Sequence, residues 1–255
     1  MQGKGIMINV LMIDDEQVVL DVTRLYLERY GNISVDCVLS ASKAIEKMQS
    51  CNYDLILCDY EMGEIDGISF LKAVRGLYPG VSFTNPDIPF IIFTGKGDEC
   101  IVIEALNCGA DFYIQKGDDP KKQLQALAGK IEDIVHRRCR EEVMDAAFEN
   151  TNTCMVIFDE NDSVLRMNRQ MSEIIQNPEK NTDNEMKWDF FVDEADHLKM
   201  KNFLSSLKMK RENNYKEKKS CSFYLCDKSG KQIPAFATAS YIPEKKISVM
   251  SIRVE

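Results

Sequence analysis

Asp14, Asp15, Asp59, Thr94 and Lys116 have side chains that could carry out phosphoryl chemistry if the fold brought them together. Three carboxylates packed side by side repel one another, so either a cation joins them or some take up protons. An all-oxygen acidic pocket suits Mg2+, which prefers octahedral oxygen ligands and keeps several waters. One carboxylate can then attack a phosphoryl group and become an aspartyl phosphate. Lys116 and Mg2+ would neutralise phosphoryl oxygens, and the Thr94 hydroxyl would donate a hydrogen bond to one. This is transfer by positioning and charge.

Convergence depends on the elements that carry these residues. The first 118 residues alternate strand-like and helix-like segments. Residues 7–13 form an apolar run interrupted only by Asn9, as expected of a strand buried on both faces. Residues 33–39, 53–58, 88–94 and 111–115 read as four more strands. Helical spacing covers 16–30, 42–50 and 67–77, and Asp98 can cap a helix that closes at Gly109. Such alternation predicts a parallel sheet covered on both sides, and open α/β sheets bind ligands at the carboxyl ends of their strands. Asp14 and Asp15 follow the first strand, Asp59 the third, Thr94 ends the fourth and Lys116 follows the fifth. All therefore belong to one edge of the expected sheet.

Residues 7–118 resemble the receiver domain of two-component response regulators. The resemblance rests on four pieces: Ile13 to Glu16, Asp59 to Gly67, Phe93 to Gly95, and Tyr113 to Lys116. Each alone is weak; in order, each at a strand end, they are specific. The resemblance implies a five-stranded, doubly wound, flavodoxin-like fold. It also implies that Asp59 accepts phosphate from the phosphohistidine of a sensor histidine kinase. Asp15 and Asp59 would bind Mg2+ directly, Asp14 through water, and the backbone carbonyl of Glu61 would complete the site. Thr94 and Tyr113 would be the switch pair, Tyr113 swinging inward when Thr94 moves to the phosphate. Glu61 and Lys96 are either an ion pair over the site or two solvated charges. Two departures stand out: Gly63 and Gly117 occupy positions where the family usually has proline. The first loosens its loop, and the second leaves open whether the Lys116–Gly117 peptide is cis. Haloacid-dehalogenase-like phosphatases also use a nucleophilic aspartate, but they want a second aspartate where this chain has Glu61.

A long helical stretch opens with Asp119 as N-cap and Pro120 in the first turn, and runs on toward Phe148. It is either a terminal helix packed on its own sheet or, beyond residue 135, also a dimer-forming segment. Residues 143–255 resemble a PAS domain, an antiparallel five-stranded sheet with short helices on one face. The pieces are a leading helix ending near Asn150, a hairpin from Met155 through Asn168, and three closing strands at 219–227, 231–241 and 246–254. Short helices are expected at 169–176 and 193–210, with a polar loop at 177–186. Such domains sense small molecules, bind haem or flavin, or dimerise, so a ligand here is unknown and none is required. No flavin-reactive cysteine segment occurs, His197 and His136 read as solvated histidines, and Asn168 and Trp188 line an internal pocket, pack in the core or stand on the surface.

The predicted organisation is a receiver core (7–118), a linking helix (119–142) and a PAS-like domain (143–255). Net charge is −9, acidic in both halves, which argues against binding driven by nucleic-acid phosphate. The nine cysteines are odd in number and contain no CxxC pair, as expected of free thiols in a reducing cytoplasm. No apolar run reaches the ~20 residues that span a bilayer, so neither membrane nor nucleic acid is expected as a partner. The chain then reads as a cytoplasmic phosphorelay regulator that signals through protein contacts, with a homodimer through the linker helix or PAS half open. It assists only its own phosphorylation and dephosphorylation and is no metabolic enzyme. The alternatives are a PAS-based small-molecule or redox sensor, in which phosphorylation is secondary, and a dimerising scaffold.

Overall fold

Three runs along the chain are buried on every residue or nearly so: β1 (Ile8–Ile13), β3 (Leu55–Cys58) and β4 (Phe90–Thr94). In the computed structural model they form the centre of a parallel sheet, flanked by β2 (Ile33–Val38) and β5 (Phe112–Gln115) in the order β2-β1-β3-β4-β5. The structure describes residues 7–63, 65–77, 83–95, 97–117, 119–175, 186–208, 218–227 and 229–254. The chain divides into two compact units, Met1–Arg140 and Glu141–Glu255.

In the first unit the strands feed two cores by strict alternation, because successive side chains of a strand point to opposite faces. Leu11, Ile13, Ile56, Cys58, Phe90 and Ile92 face one way. They pack against α2 (Ala41–Ser50), α3 (Gly67–Val74) and α4 (Glu99–Asn107). Val10, Met12, Leu55, Leu57, Ile91 and Phe93 face the other way, against α1 (Gln17–Tyr30) and α5 (Pro120–Glu149). The resulting helix–sheet–helix architecture is the flavodoxin-like arrangement expected of a receiver.

Side-chain caps set where helices begin. Ser40 accepts a hydrogen bond from Lys43 N at 3.4 Å, Asp66 from Ser69 N at 2.7 Å, and Asp98 from Cys100 N at 2.9 Å. Arg75 fastens the loop before β4 to the turn before β5. Its guanidinium donates to the carbonyls of Pro86, Ile88 and Gly109 at 2.7, 2.9 and 2.8 Å.

The second unit holds an antiparallel sheet in the order β7-β6-β10-β9-β8. Its strands are β6 (Cys154–Phe158), β7 (Val164–Met167), β8 (Lys219–Cys226), β9 (Gln232–Ile242) and β10 (Ile247–Val254). One face, including Val156, Phe158, Phe223, Ala237 and Met250, is buried. It packs beneath α6 (Arg169–Ile175) and α7 (His197–Lys208). The expected helix at 193–210 is thus a 3-10 turn, Glu194–Asp196, followed by α7. Residues 209–210 and most of the expected polar loop lie outside the described residues.

Asn168 is wholly buried, and its amide is fully used. Its oxygen accepts from Met155 N and Met171 N at 2.9 and 3.1 Å; its nitrogen donates to Phe148 O and Thr153 O at 3.1 and 2.9 Å. The residue therefore ties the end of α5, the start of β6 and the start of α6 together, rather than lining a pocket. Replacing it with leucine strands four backbone groups, each costing about 1–3 kcal/mol when buried without a partner. Asn168→Leu is expected to destabilise this unit by roughly 3 kcal/mol or more. Trp188 is the chain's only tryptophan and packs against this core, so its fluorescence reports the urea transition. An unchanged midpoint would refute the role. Trp188 also meets the His197 ring edge-on at 5.3 Å, and His197 Nε2 donates to Val192 O at 2.9 Å. His136 is exposed on α5.

Candidate functional site

The sheet's hydrogen bonding continues just past its strands, and that continuation positions the acidic group. Asp14 N donates to Val38 O at 3.2 Å, Asp59 N to Ile13 O at 2.8 Å, and Lys116 N to Thr94 O at 2.6 Å. Each residue is therefore held by the neighbouring strand, so its backbone is as rigid as the sheet. The loops then turn their N–H groups back: Glu16 N donates to Asp14 Oδ1 at 2.9 Å and Glu61 N to Asp59 Oδ2 at 2.6 Å.

Lys116 joins the carboxylates. Its ammonium lies 2.8 Å from Asp14 Oδ2 and 2.7 Å from Asp59 Oδ1, over the edge of the Phe93 ring. The side chains of Asp14 and Asp59 are 2% and 7% exposed, and that of Lys116 24%. Burial pushes the Asp59 carboxyl above the usual aspartate range, against the opposing pull of Lys116 and the Glu61 N–H. Burial alone would lower the Lys116 ammonium, but its bonds to Asp14 and Asp59 outweigh this and hold it above the usual lysine value. Two buried carboxylates share one ammonium, so the group retains a net negative charge.

Asp15 is exposed although its neighbour Asp14 is buried, and Glu61 is also exposed. Thr94 is buried at the end of β4, and Tyr113 is half-buried on β5. Burial, then the nearby charge of Asp59, raises the Tyr113 phenol above its ordinary value. Among the described residues no group of three or more His, Cys, Asp or Glu is arranged to hold a metal. Lys116 occupies the inner oxygens of both buried carboxylates. The donor set, all oxygen with excess negative charge, nevertheless fits a hard divalent ion. Lys96, of the suggested Glu61–Lys96 pair, lies outside the described residues.

Backbone conformation revises the reading of the two glycines. Gly63 has φ +74°, which a proline ring cannot adopt, so the loop there follows a different course rather than a merely looser one. The Lys116–Gly117 peptide is trans.

Gly67 has a role that the sequence pattern did not reveal. A Cβ there would sit 2.3 Å from the Asp59 carbonyl oxygen and 3.2 Å from Tyr60 Cα. Gly67 N also donates to Tyr60 O at 2.8 Å. The obstacle is backbone, so it cannot swing aside. Gly67→Ala is expected to cost about 1–3 kcal/mol by displacing the Asp59 backbone. Urea unfolding checks this; a wild-type midpoint would refute it.

Cys58 donates its thiol to Asp59 O at 3.2 Å and is fully buried, which pushes its thiol well above the ordinary value. It is thus a poor nucleophile. All nine cysteines are free, and among the described residues no helix is long and apolar enough to cross a membrane.

Residues 10–128 match the model of the response regulator receiver domain. The chain is similar to the transcriptional regulatory protein ResD of Bacillus subtilis, 34% identical over 113 residues, which are 44% of this chain and 43% of ResD. It is also similar to the response regulator ArlR of Staphylococcus haemolyticus, 30% identical over 139 residues, covering 54% of this chain and 58% of ArlR. Among solved structures, a Francisella response regulator receiver domain matches at 26% identity and a TM-score of 0.44, covering 51% of this chain and 98% of that one. The chain spans about half the length of these curated relatives.

One expectation is corrected here. Nucleic acid was set aside as a partner on net charge, yet a relative is named a transcriptional regulatory protein. Net charge averages over the whole chain and speaks only to direct neutralisation of phosphates; it does not show where a regulator's signal ends.

Proposed function

With residues 10–128 a response regulator receiver domain, we propose that this chain is a phosphorelay switch whose acceptor is Asp59. The observation that carries the proposal is the buried Lys116 bridge, which selects Asp14 and Asp59 from the chain's acidic residues. One Asp59 oxygen forms the new O–P bond as the P–N bond of a kinase phosphohistidine breaks, and the electron pair returns to the imidazole. Lys116 is placed to exchange its bond to Asp59 for one to a phosphoryl oxygen. The Thr94 hydroxyl, carried at the end of the adjoining strand, would donate to another. Asp14, Asp15, Asp59 and the Glu61 carbonyl would hold Mg2+, which when bound neutralises charge on the phosphoryl oxygens.

Tyr113 shares β5 with the strand end that leads to Lys116 and is only half-buried. A shift of Thr94 toward phosphate would favour its inward conformer, so phosphorylation selects between two states of the surface around it. We assign residues 143–255 to a PAS-like domain, supported by the five-stranded antiparallel sheet with both helices on one face. In this reading the signal leaves through protein contacts. The test is Mg2+-dependent labelling by acetyl phosphate or a cognate kinase: about one acid-labile acyl phosphate per chain supports the assignment, and none overturns it.

A further inference from the structure

The second unit has a cleft on the outside of its sheet, away from its core. It is half open to solvent and has a volume of about 300 Å³, at the lower end of the range for small-molecule sites. Its floor is the outer face of β8, β9 and β10. Strand register sets Ser222, Phe236 and Arg253 in one row, with Tyr224 and Pro234 in the adjoining positions. Its wall is Asp196 and Lys199, at the start of α7.

The lining has a definite chemistry. Asp196 Oδ2 is already committed to Tyr224 N at 2.8 Å, so it serves the edge of β8. Lys199 is only loosely paired, 3.7 Å from Asp196 Oδ1, and half its side chain is exposed. Arg253 is exposed and has no hydrogen-bond or ion-pair partner among the described residues. The cleft thus offers two cations against one occupied carboxylate, on a chain whose net charge is −9. Beside them Phe236 and Tyr224 are 44% and 49% exposed. A guanidinium forks onto a carboxylate, and an uncovered ring offers an apolar face for another flat group.

We propose that this cleft binds a small aromatic carboxylate, its carboxylate on Arg253 and Lys199 and its ring against Phe236 and Pro234. This input is separate from the phosphoryl switch and does not depend on it.

The probe is benzoate, titrated into the full chain and followed by 15N–1H amide shifts. Saturable shifts are expected around residues 196–199, 222–224, 234–236 and 253. Benzamide, of the same shape without the charge, should bind about tenfold more weakly, as should the variant Arg253→Gln. Rising salt should weaken benzoate alone. Arg253 and Phe236 are both exposed, so Arg253→Gln and Phe236→Ser are expected to remain folded, and Lys199→Gln gives a third reading. The proposal is overturned if shifts do not saturate or arise elsewhere, if benzamide binds as tightly as benzoate, or if Arg253→Gln binds like wild type.

Discussion

Protein carrying Asp59→Asn is expected to take up no phosphoryl group from acetyl phosphate in Mg2+, where the unaltered chain is expected to take up about one. The amide keeps the shape of the side chain and an oxygen for Lys116, but an amide oxygen does not displace a leaving group from phosphorus. Loss of labelling should therefore occur without loss of the fold. The electrostatics sharpen this expectation. Burial raises the Asp59 pKa above its unfolded value. A group raised in the folded state contributes stability that is fully present below the unfolded pKa and lost as pH rises through the folded one. At neutral pH the Asp59 charge therefore opposes folding, and the neutral amide should leave the urea midpoint unchanged or raise it. Equal labelling of the variant would move the acceptor elsewhere. A collapsed midpoint would mean that Asp59 is structural.

Lys116→Met produces the opposite pattern, a large cost in stability at neutral pH. The variant leaves Asp14 and Asp59 buried without the ammonium that lies 2.8 and 2.7 Å from them. Breaking a buried charge group by removing one partner typically costs about 3–5 kcal/mol. The deficit should shrink on acidification. Without Lys116 the burial that already raises Asp59 is opposed only by the Glu61 N–H, so the carboxyl takes up its proton at a higher pH and the repulsion disappears. In the unaltered chain the Lys116 contribution follows its raised pKa: it is complete below the ordinary lysine value and lost only as pH climbs through the folded one. Urea unfolding at neutral and acidic pH measures both trends. Added Mg2+ should recover part of the neutral-pH deficit in the variant, because a divalent ion replaces the missing positive charge. A pH-independent deficit that ignores Mg2+ would refute this account of the site.

The two substitutions separate chemistry from electrostatics. Asp59→Asn removes the nucleophile and leaves Lys116 one carboxylate to balance, whereas Lys116→Met keeps the nucleophile and leaves two buried carboxylates without their cation.

Much of this was determined by the sequence alone. A strand buried on both faces reads as a near-continuous apolar run, so residues 7–13, 53–58 and 88–94 announce themselves despite Asn9 and Asp54, and a polar residue that closes such a run stands at a strand end. That local rule found Asp14, Asp59 and Thr94; the alternation of strands and helices added Lys116 after the fifth strand and put all four on one edge. The Asp98 cap was legible for the same reason, since its partner lies two residues away. What tertiary structure decided is what depends on partners far along the chain. Lys116 reaches Asp14 across 102 residues and Asp59 across 57, and only strand order and register set those distances. Adjacent Asp14 and Asp15 look alike in sequence, yet one is buried and the other exposed, because the chain leaves the sheet between them. Gly67 is needed because the Asp59 carbonyl packs against its Cα. Asn168 is a tie, not a pocket wall, because four backbone groups from three elements meet at its amide. Periodicity records which face a residue occupies; what it meets there is set by the packing of elements that no local pattern encodes.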